Sequence, residues 1–194
     1  MLGVFLDTET NGLSAFKHKV VEIAFKIVDV LSGEVLDSYE ALLKMDKEAW
    51  DLSDPASLHI NGFTYSQVSQ GKLPSVVAGE IRAIFKKHHI QRGSSVFICQ
   101  NPSFDRSFFS QLIAPELQEE LNWPYHWLDL ASMYWVVALR KGRSDSSLFP
   151  WVTGISKNKI AAVYGLSEEE MPHRAMNGVD HLILCYQAVV KQFL

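Results

Sequence analysis

Hydrophobic and polar positions along the chain fall into two regimes. The first 43 residues read in strand-like patterns, and most of the remainder follows helical spacing. Residues 2–6 (LGVFL) are an apolar run ending at Asp7, which predicts a buried strand that delivers Asp7 at its end. Residues 20–30 (VVEIAFKIVDV) carry apolar and β-branched side chains in near alternation. Ser32-Gly33 supplies a turn, and 34–43 (EVLDSYEALL) continues as a second strand, which is a hairpin signal. Three antiparallel strands with the first on the inside are expected.

Farther along, apolar Val77, Ile81, Ile84 and Phe85 within 75–88 have helical spacing, with Pro74 at the start where proline is tolerated. Residues 95–99 (SVFIC) read as a short buried strand. Helices are predicted from Pro102 to about Leu112, from Leu128 to about Leu139 and over 156–164. The stretch 141–154, rich in Gly, Ser and Pro, reads as a loop. A last helix is expected from about His173 to Phe193, with Leu182, Cys185, Val189 and Phe193 on one face. Trp127, Trp135 and Trp151 read as core, with an interface lining as the alternative. Strands first, then strand–helix alternation, then a long terminal helix fit one mixed α/β domain over 1–194.

Composition narrows the class. Apolar residues make up 47% and charged residues 21%, as in ordinary globular proteins. No apolar run is long enough to span a bilayer, and the N-terminus lacks a secretory layout, so a cytoplasmic protein without membrane contact is expected. Cys99 and Cys185 sit inside apolar segments without zinc or disulfide spacing and read as buried thiols. The net charge of −4 argues against bulk electrostatic capture of duplex nucleic acid. It leaves room for an enzyme that grips one strand end, where bound metals supply local positive charge.

Candidate chemistry sits in three places. In a strand, residues two apart share a face, so Asp7 and Glu9 of Asp7-Thr8-Glu9-Thr10-Asn11-Gly12-Leu13 present two carboxylates together. Their repulsion raises each pKa unless a cation lies between them, and hard oxygen ligands suit Mg²⁺ or Mn²⁺. The bland alternative is a solvated strand end running into a turn. Asp105 of Asn101-Pro102-Ser103-Phe104-Asp105 lies in the first turn of a predicted helix, where an acid is favourable in any case. Asn101 at the strand exit is placed to touch a substrate. In His173-Arg174-Ala175-Met176-Asn177-Gly178-Val179-Asp180, a helix starting near His173 would put Asp180 on the same face, seven residues on. A surface or capping role is the bland reading for His173.

Together these segments resemble the DEDD superfamily of 3′→5′ exonucleases, in the DnaQ-like subgroup whose third motif carries histidine. FLDTETNGL matches the first motif, NPSFDRSFF the second, and HRA followed by Asp180 the third. VVEIAFKIVDVLSGEVLDSYEALLK, LHINGFTYSQV and WLDLASMYW resemble the intervening segments, so the likeness covers nearly the whole chain. It implies a ribonuclease H-like fold, a mixed five-stranded sheet flanked by helices. It implies two Mg²⁺ or Mn²⁺ ions held by Asp7, Glu9, Asp105 and Asp180, with His173 as general base. The substrate implied is the 3′ end of single-stranded DNA or RNA, and the products nucleoside 5′-monophosphates. Thr10, Leu13, Phe63 and Asn101 would contact the terminal nucleotides, with partial core the equal alternative for Leu13 and Phe63, and Lys157, Lys159 and Arg174 are either phosphate contacts or ordinary surface charges.

There is one departure. The family's last aspartate stands five residues after the histidine, where this chain has Gly178. Asp180 with a shifted helix start is expected to replace it. A longer preceding loop, a different register, loss of the fourth ligand or use of Asn177 are the alternatives. A DNA polymerase subunit is a possible partner by resemblance, and oligomeric state is open. An RNA-trimming exoribonuclease and a catalytically weakened binding subunit are the rival functions within the fold. A haloacid-dehalogenase-like phosphatase would require Asp-x-Asp, and the second acid here is Glu9.

Overall fold

The computed structural model describes residues 1–190. Its centre is a five-stranded sheet in the order β3-β2-β1-β4-β5. Strand β1 (Leu2–Thr10) pairs antiparallel with β2 (Val20–Asp29), and β2 with β3 (Val35–Leu42). The expected hairpin forms, turning at Gly33 with φ +76°. On its other side β1 runs parallel to β4 (Ser95–Cys99), which pairs with the three-residue β5 (Trp127–Asp129). β1 is thus internal, as its unbroken apolar run requires.

Ten α-helices clothe this sheet among the described residues. Short helices α1 (Lys47–Asp51), α2 (Pro55–Asn61) and α3 (Tyr65–Val68) follow β3 and precede α4 (Pro74–Lys87). After β4 come α5 (Pro102–Leu112) and α6 (Pro115–Glu120). After β5 come α7 (Leu130–Gly142), a 3₁₀ turn at Ser146–Leu148, α8 (Pro150–Thr153), α9 (Lys157–Val163) and α10 (Ala175–Val190).

The alternation of β1 splits the core into two layers. Val4 and Leu6 face α4 and α5, in a cluster with Phe25, Phe85, Phe97, Phe109 and Trp123. Phe5 faces the opposite layer, with Tyr134 of α7, Ile160 of α9 and Leu182 and Cys185 of α10. Both cysteines are buried and free, as expected.

Several sequence expectations need correction. The helix expected from Leu128 begins at Leu130, because 127–129 add an edge strand and the Asp129 side chain accepts from the Ala131 and Ser132 N–H groups. The 141–154 stretch contains the 3₁₀ turn and α8, started by Pro150. Trp127 is partly buried and packs against the core, stacked on Phe97 at 4.0 Å, but Trp135 and Trp151 are 39% and 63% exposed. The last helix begins at Ala175, two residues later than expected. Phe193 and the final residues of that expected helix lie outside the described residues.

Candidate active site

The site forms where β1 outruns its neighbour. Pairing with β4 ends at Phe5–Ile98, while β1 continues to Thr10. Such a crevice beyond the carboxyl ends of parallel strands is where α/β sheets bind ligands. Asp7, Thr8, Glu9, Gln100, Asn101, Asp105, Lys157, Glu169 and His173 line an open crevice of about 330 Å³ there.

Strand parity assigns each side chain its neighbour. Asp7 and Glu9 continue the face of Phe5 toward α10. Thr8 points the other way, and its hydroxyl donates to Asp105 Oδ1 on α5 at 2.8 Å. Asp105 is 5% exposed, Glu9 8%, and the Asp7 side chain 16%. Burial, then the neighbouring Asp7 charge, pushes Glu9 up to about 8. Burial also raises Asp7 and Asp105, and Asp7 adds to the shift of Asp105. Glu9 also stands directly opposite Glu22 across the β1–β2 ladder. Four acids with so little water repel one another, and one lysine, Lys157 at 3.5 Å from Asp7, offsets only part of that charge.

The third motif is built differently from the expectation. Glu22 Oε2 accepts from the Ala175 N–H at 2.7 Å, satisfying an orphan donor at the start of α10 with a carboxylate. His173 precedes the helix, its own N–H donating to Ile60 O at 3.0 Å. Because the helix starts at Ala175, His173 is outside it and shares no helical face with Asp180, and within the helix residues 178 and 180 point about 200° apart. Gly178 faces Asp7. Asp180 points away, its side chain 51% exposed and ion-paired with Lys26 of β2. The expectation that Asp180 joins the acid cluster is therefore corrected, and Asn177 is not among the crevice residues.

Gly178 costs its helix about 1 kcal/mol relative to alanine. Proximity explains it. A Cβ there would overlap Asp7 Oδ2, stand 2.7 Å from Asp7 Cγ and 3.2 Å from Glu169 Oε1. Glu169, in the loop between α9 and α10, comes into this space with its side chain only 4% exposed. Its N–H donates to Asn158 Oδ1 at 3.0 Å, and its Oε2 lies 2.9 Å from Lys157 Nζ. Lys157 Nζ also lies 3.5 Å from Asp7 Oδ1 and donates to Gly178 O at 3.2 Å. His173 Nδ1 is 3.9 Å from Glu169 Oε1, and His181 Nδ1 is 3.9 Å from Glu169 Oε2. Sequence reasoning missed Glu169, Glu22 and His181. Glu169 is one of three consecutive glutamates, and nothing in the sequence singles it out. Lys157, read as a phosphate contact, is instead the cation inside the acid cluster.

The expected substrate contacts divide. Leu13 is 74% exposed at the rim, beside the fully exposed Phe16, which sequence reasoning passed over. They share a second groove with Asn101 and Phe104, continuous with the acid crevice through those two residues. Asn101 is exposed, and its Oδ1 accepts from the Ser103 hydroxyl at 2.7 Å. Thr10 is buried, its hydroxyl donating to Gly12 O at 2.8 Å. Phe63 is corrected: it is 7% exposed, packed with Val21, Met45 and Val68, and covered by the Arg174 guanidinium at 4.2 Å, so its ring faces no open groove. Arg174 also donates to the carbonyls of Asn61 and His173. Lys159 is exposed and absent from the crevice lining.

Among the described residues no three His, Cys, Asp or Glu side chains are already drawn together as an ion cage. The donor set nonetheless fits a hard divalent cation. It comprises buried, mutually repelling carboxylates, and Glu169 Oε1 is buried without a hydrogen-bond partner.

Comparison with known proteins bears on the family and the fold. The exonuclease family RNase_T matches residues 4–183. DNA polymerase III PolC-type from Oceanobacillus iheyensis is 27% identical over 108 residues, 56% of this chain and 7% of that protein. The same protein from Halalkalibacterium halodurans is 29% identical over 109 residues, again 7% of its length. The chain thus spans a small fraction of these relatives. In fold it is similar to cell-death related nuclease 4, with TM-score 0.74 at 14% identity, over 98% of this chain and 64% of that one. It is equally similar to E. coli Exonuclease I in complex with a dT13 oligonucleotide, with TM-score 0.74 at 17% identity, over 98% and 41%. A fold match over nearly the whole chain and a family match spanning all three motifs lead to one assignment: the chain belongs to the RNase_T exonuclease family, the DnaQ-like 3′→5′ exonucleases of DEDD type.

Proposed function

We propose that this protein removes nucleotides one at a time from the 3′ end of single-stranded nucleic acid, with DNA as the preferred substrate, releasing nucleoside 5′-monophosphates. The observation that carries this reading is the convergence of Asp7, Glu9 and Asp105 with His173 in one open crevice. The preference for DNA draws on relatives named as a DNA polymerase and on a structural neighbour described with bound oligodeoxythymidine.

Asp7, Glu9 and Asp105 would hold divalent ions, Mg²⁺ or Mn²⁺. When bound, such ions stabilise the attacking and leaving oxygens of an in-line displacement at phosphorus. The protein's own contributions follow from its geometry. His173 stands at the crevice mouth, 29% exposed, where its imidazole can take the proton of the attacking water. The Thr8 hydroxyl fixes the Asp105 carboxylate. Glu22 fixes the start of α10, and with it the backbone beside His173. The groove past Asn101 and Phe104 accepts the terminal nucleotide. Leu13 wedges against its base and Phe16 stacks on a neighbour, as aromatic side chains do on single strands.

The test is a 5′-labelled DNA oligonucleotide and its RNA counterpart, incubated with Mg²⁺, with Mn²⁺ and with chelator. A metal-dependent ladder shortening from the 3′ end, faster for DNA, is expected. Faster shortening of RNA would make the protein an RNA trimmer. The absence of a family acid at 178 favours one rival, a nuclease-fold binding subunit with weakened catalysis. That rival would hold if oligonucleotide is retained but neither substrate shortens under any metal.

A further inference from the structure

Resting on that reading, we infer that Glu169 replaces the acid missing at Gly178: its free carboxylate oxygen completes the metal site from a loop instead of from α10.

Three independent observations meet at this point. The position that would carry the acid has no side chain, and any side chain there would collide with Asp7. The space is filled by Glu169, whose Oε1 lies 3.2 Å from where the Cβ of residue 178 would begin. That oxygen is buried without a hydrogen-bond partner, although the side chain is 96% removed from solvent. A buried carboxylate oxygen left unpaired costs free energy unless something binds it. Its sister oxygen is already committed to Lys157 at 2.9 Å, whereas the nearest basic group to Oε1, His173 Nδ1 at 3.9 Å, is beyond hydrogen-bond distance, so Oε1 is the oxygen available to an ion.

The surroundings agree. Asn158 anchors the Glu169 backbone, and Lys157 holds the carboxylate beside Asp7. Lys157 thus acts as a positioning residue for both acids. The exchange also accounts for Gly178 and Asp180 together. Once the acid enters from the loop, α10 must present no side chain at 178, and an acid at 180 is free to serve the surface pair with Lys26.

The test compares the 194-residue wild type, Glu169→Gln, Lys157→Met and the Lys157→Met/Glu169→Gln double variant. Mn²⁺ uptake without nucleic acid is followed by the free-ion paramagnetic resonance signal. Terbium luminescence lifetimes in H₂O and D₂O count the waters on the bound ion. The double variant removes both halves of the ion pair, so no buried charge is left alone if Glu169→Gln fails to fold. Its Mn²⁺ affinity should fall at least about tenfold below that of Lys157→Met, with one water gained on terbium. Equal affinity in those two variants would overturn the inference and leave Glu169 as a counter-ion only. A fall in affinity with no added water would also overturn it, marking a through-space effect of charge. If wild type and Lys157→Met take up no Mn²⁺, the metal-dependent reading itself fails, and this inference with it.

Discussion

The two halves of the site are built on opposite principles. The half from β1 and α5 is set by regular structure: strand parity aims Asp7 and Glu9, and the first turn of α5 presents Asp105, tied to Thr8 at 2.8 Å. The half from α9, α10 and the loop between them is set by packing. There Lys157, Glu169 and His173 meet because a missing side chain at Gly178 leaves room. In the first half the residue type announces the role. In the second the same charges could belong to any surface, and only burial distinguishes them.

Substitutions can separate the two halves, beginning with the strongest effect. Asp7→Ala removes the acid that touches both halves, and the cleavage rate should fall at least about a thousandfold while circular dichroism stays unchanged. His173→Ala should cost roughly 10²- to 10⁴-fold in kcat. If kcat is retained, proton removal belongs to another group. Gly178→Ala is the sharpest probe of the packed half. Its methyl group must displace Asp7 or Glu169, and a shift near 1 Å should lower kcat/KM by about 100-fold. An active Gly178→Ala enzyme would mean that this half tolerates repacking.

The next effect is on stability. The folded-state pKa of Glu9 is raised from 4.5 to about 8, so between those values the folded protein binds more protons than the unfolded chain. Unfolding free energy without metal therefore falls as pH rises through that window. Melting curves should show Tm dropping from pH 5 to 8 in chelator. Glu9→Gln should flatten this slope while abolishing cleavage. Mn²⁺ at about 100 times its Kd should add about 2.7 kcal/mol, or roughly 5–10 °C, at pH 8. A Tm independent of both pH and metal would show that the acid cluster is not strained. The smallest effect is expected for Asp180→Asn. Its partner is on the surface, so stability should change by at most about 0.5 kcal/mol and cleavage by less than about twofold.

The same contrast decides what could be read from the sequence. The apolar run at 2–6, the near alternation along 20–30 and the turn at Ser32-Gly33 predicted the inner strands and the hairpin, and the two-residue strand period predicted the shared face of Asp7 and Glu9. Helical spacing found α4, and Pro102 marked the start of α5. Asp180 was misplaced because sequence spacing does not locate the first residue of a helix to within one position, and two positions turn the acid by about 200°. The start is set by Glu22, 153 residues away, which no local pattern encodes. Of the two readings of Phe63, base stacking and core, the structure supports core, and the sequence could not choose between them. Aromatic character is the same for a stacking platform and for a core residue, and only the covering Arg174 shows which it is.

The bond from Thr8 to Asp105 spans 97 residues, and that from Glu22 to Ala175 spans 153. Both require long chain loops to close before either acid reaches its working position. Recovery of cleavage after dilution from denaturant therefore clocks the meeting of distant segments, and should lag behind recovery of helical signal. In a truncated or stalled chain the acids of β1 would already exist but would have nothing to work with. The site is in this sense silent until the chain through α10 has been made, a safeguard for a member of an exonuclease family.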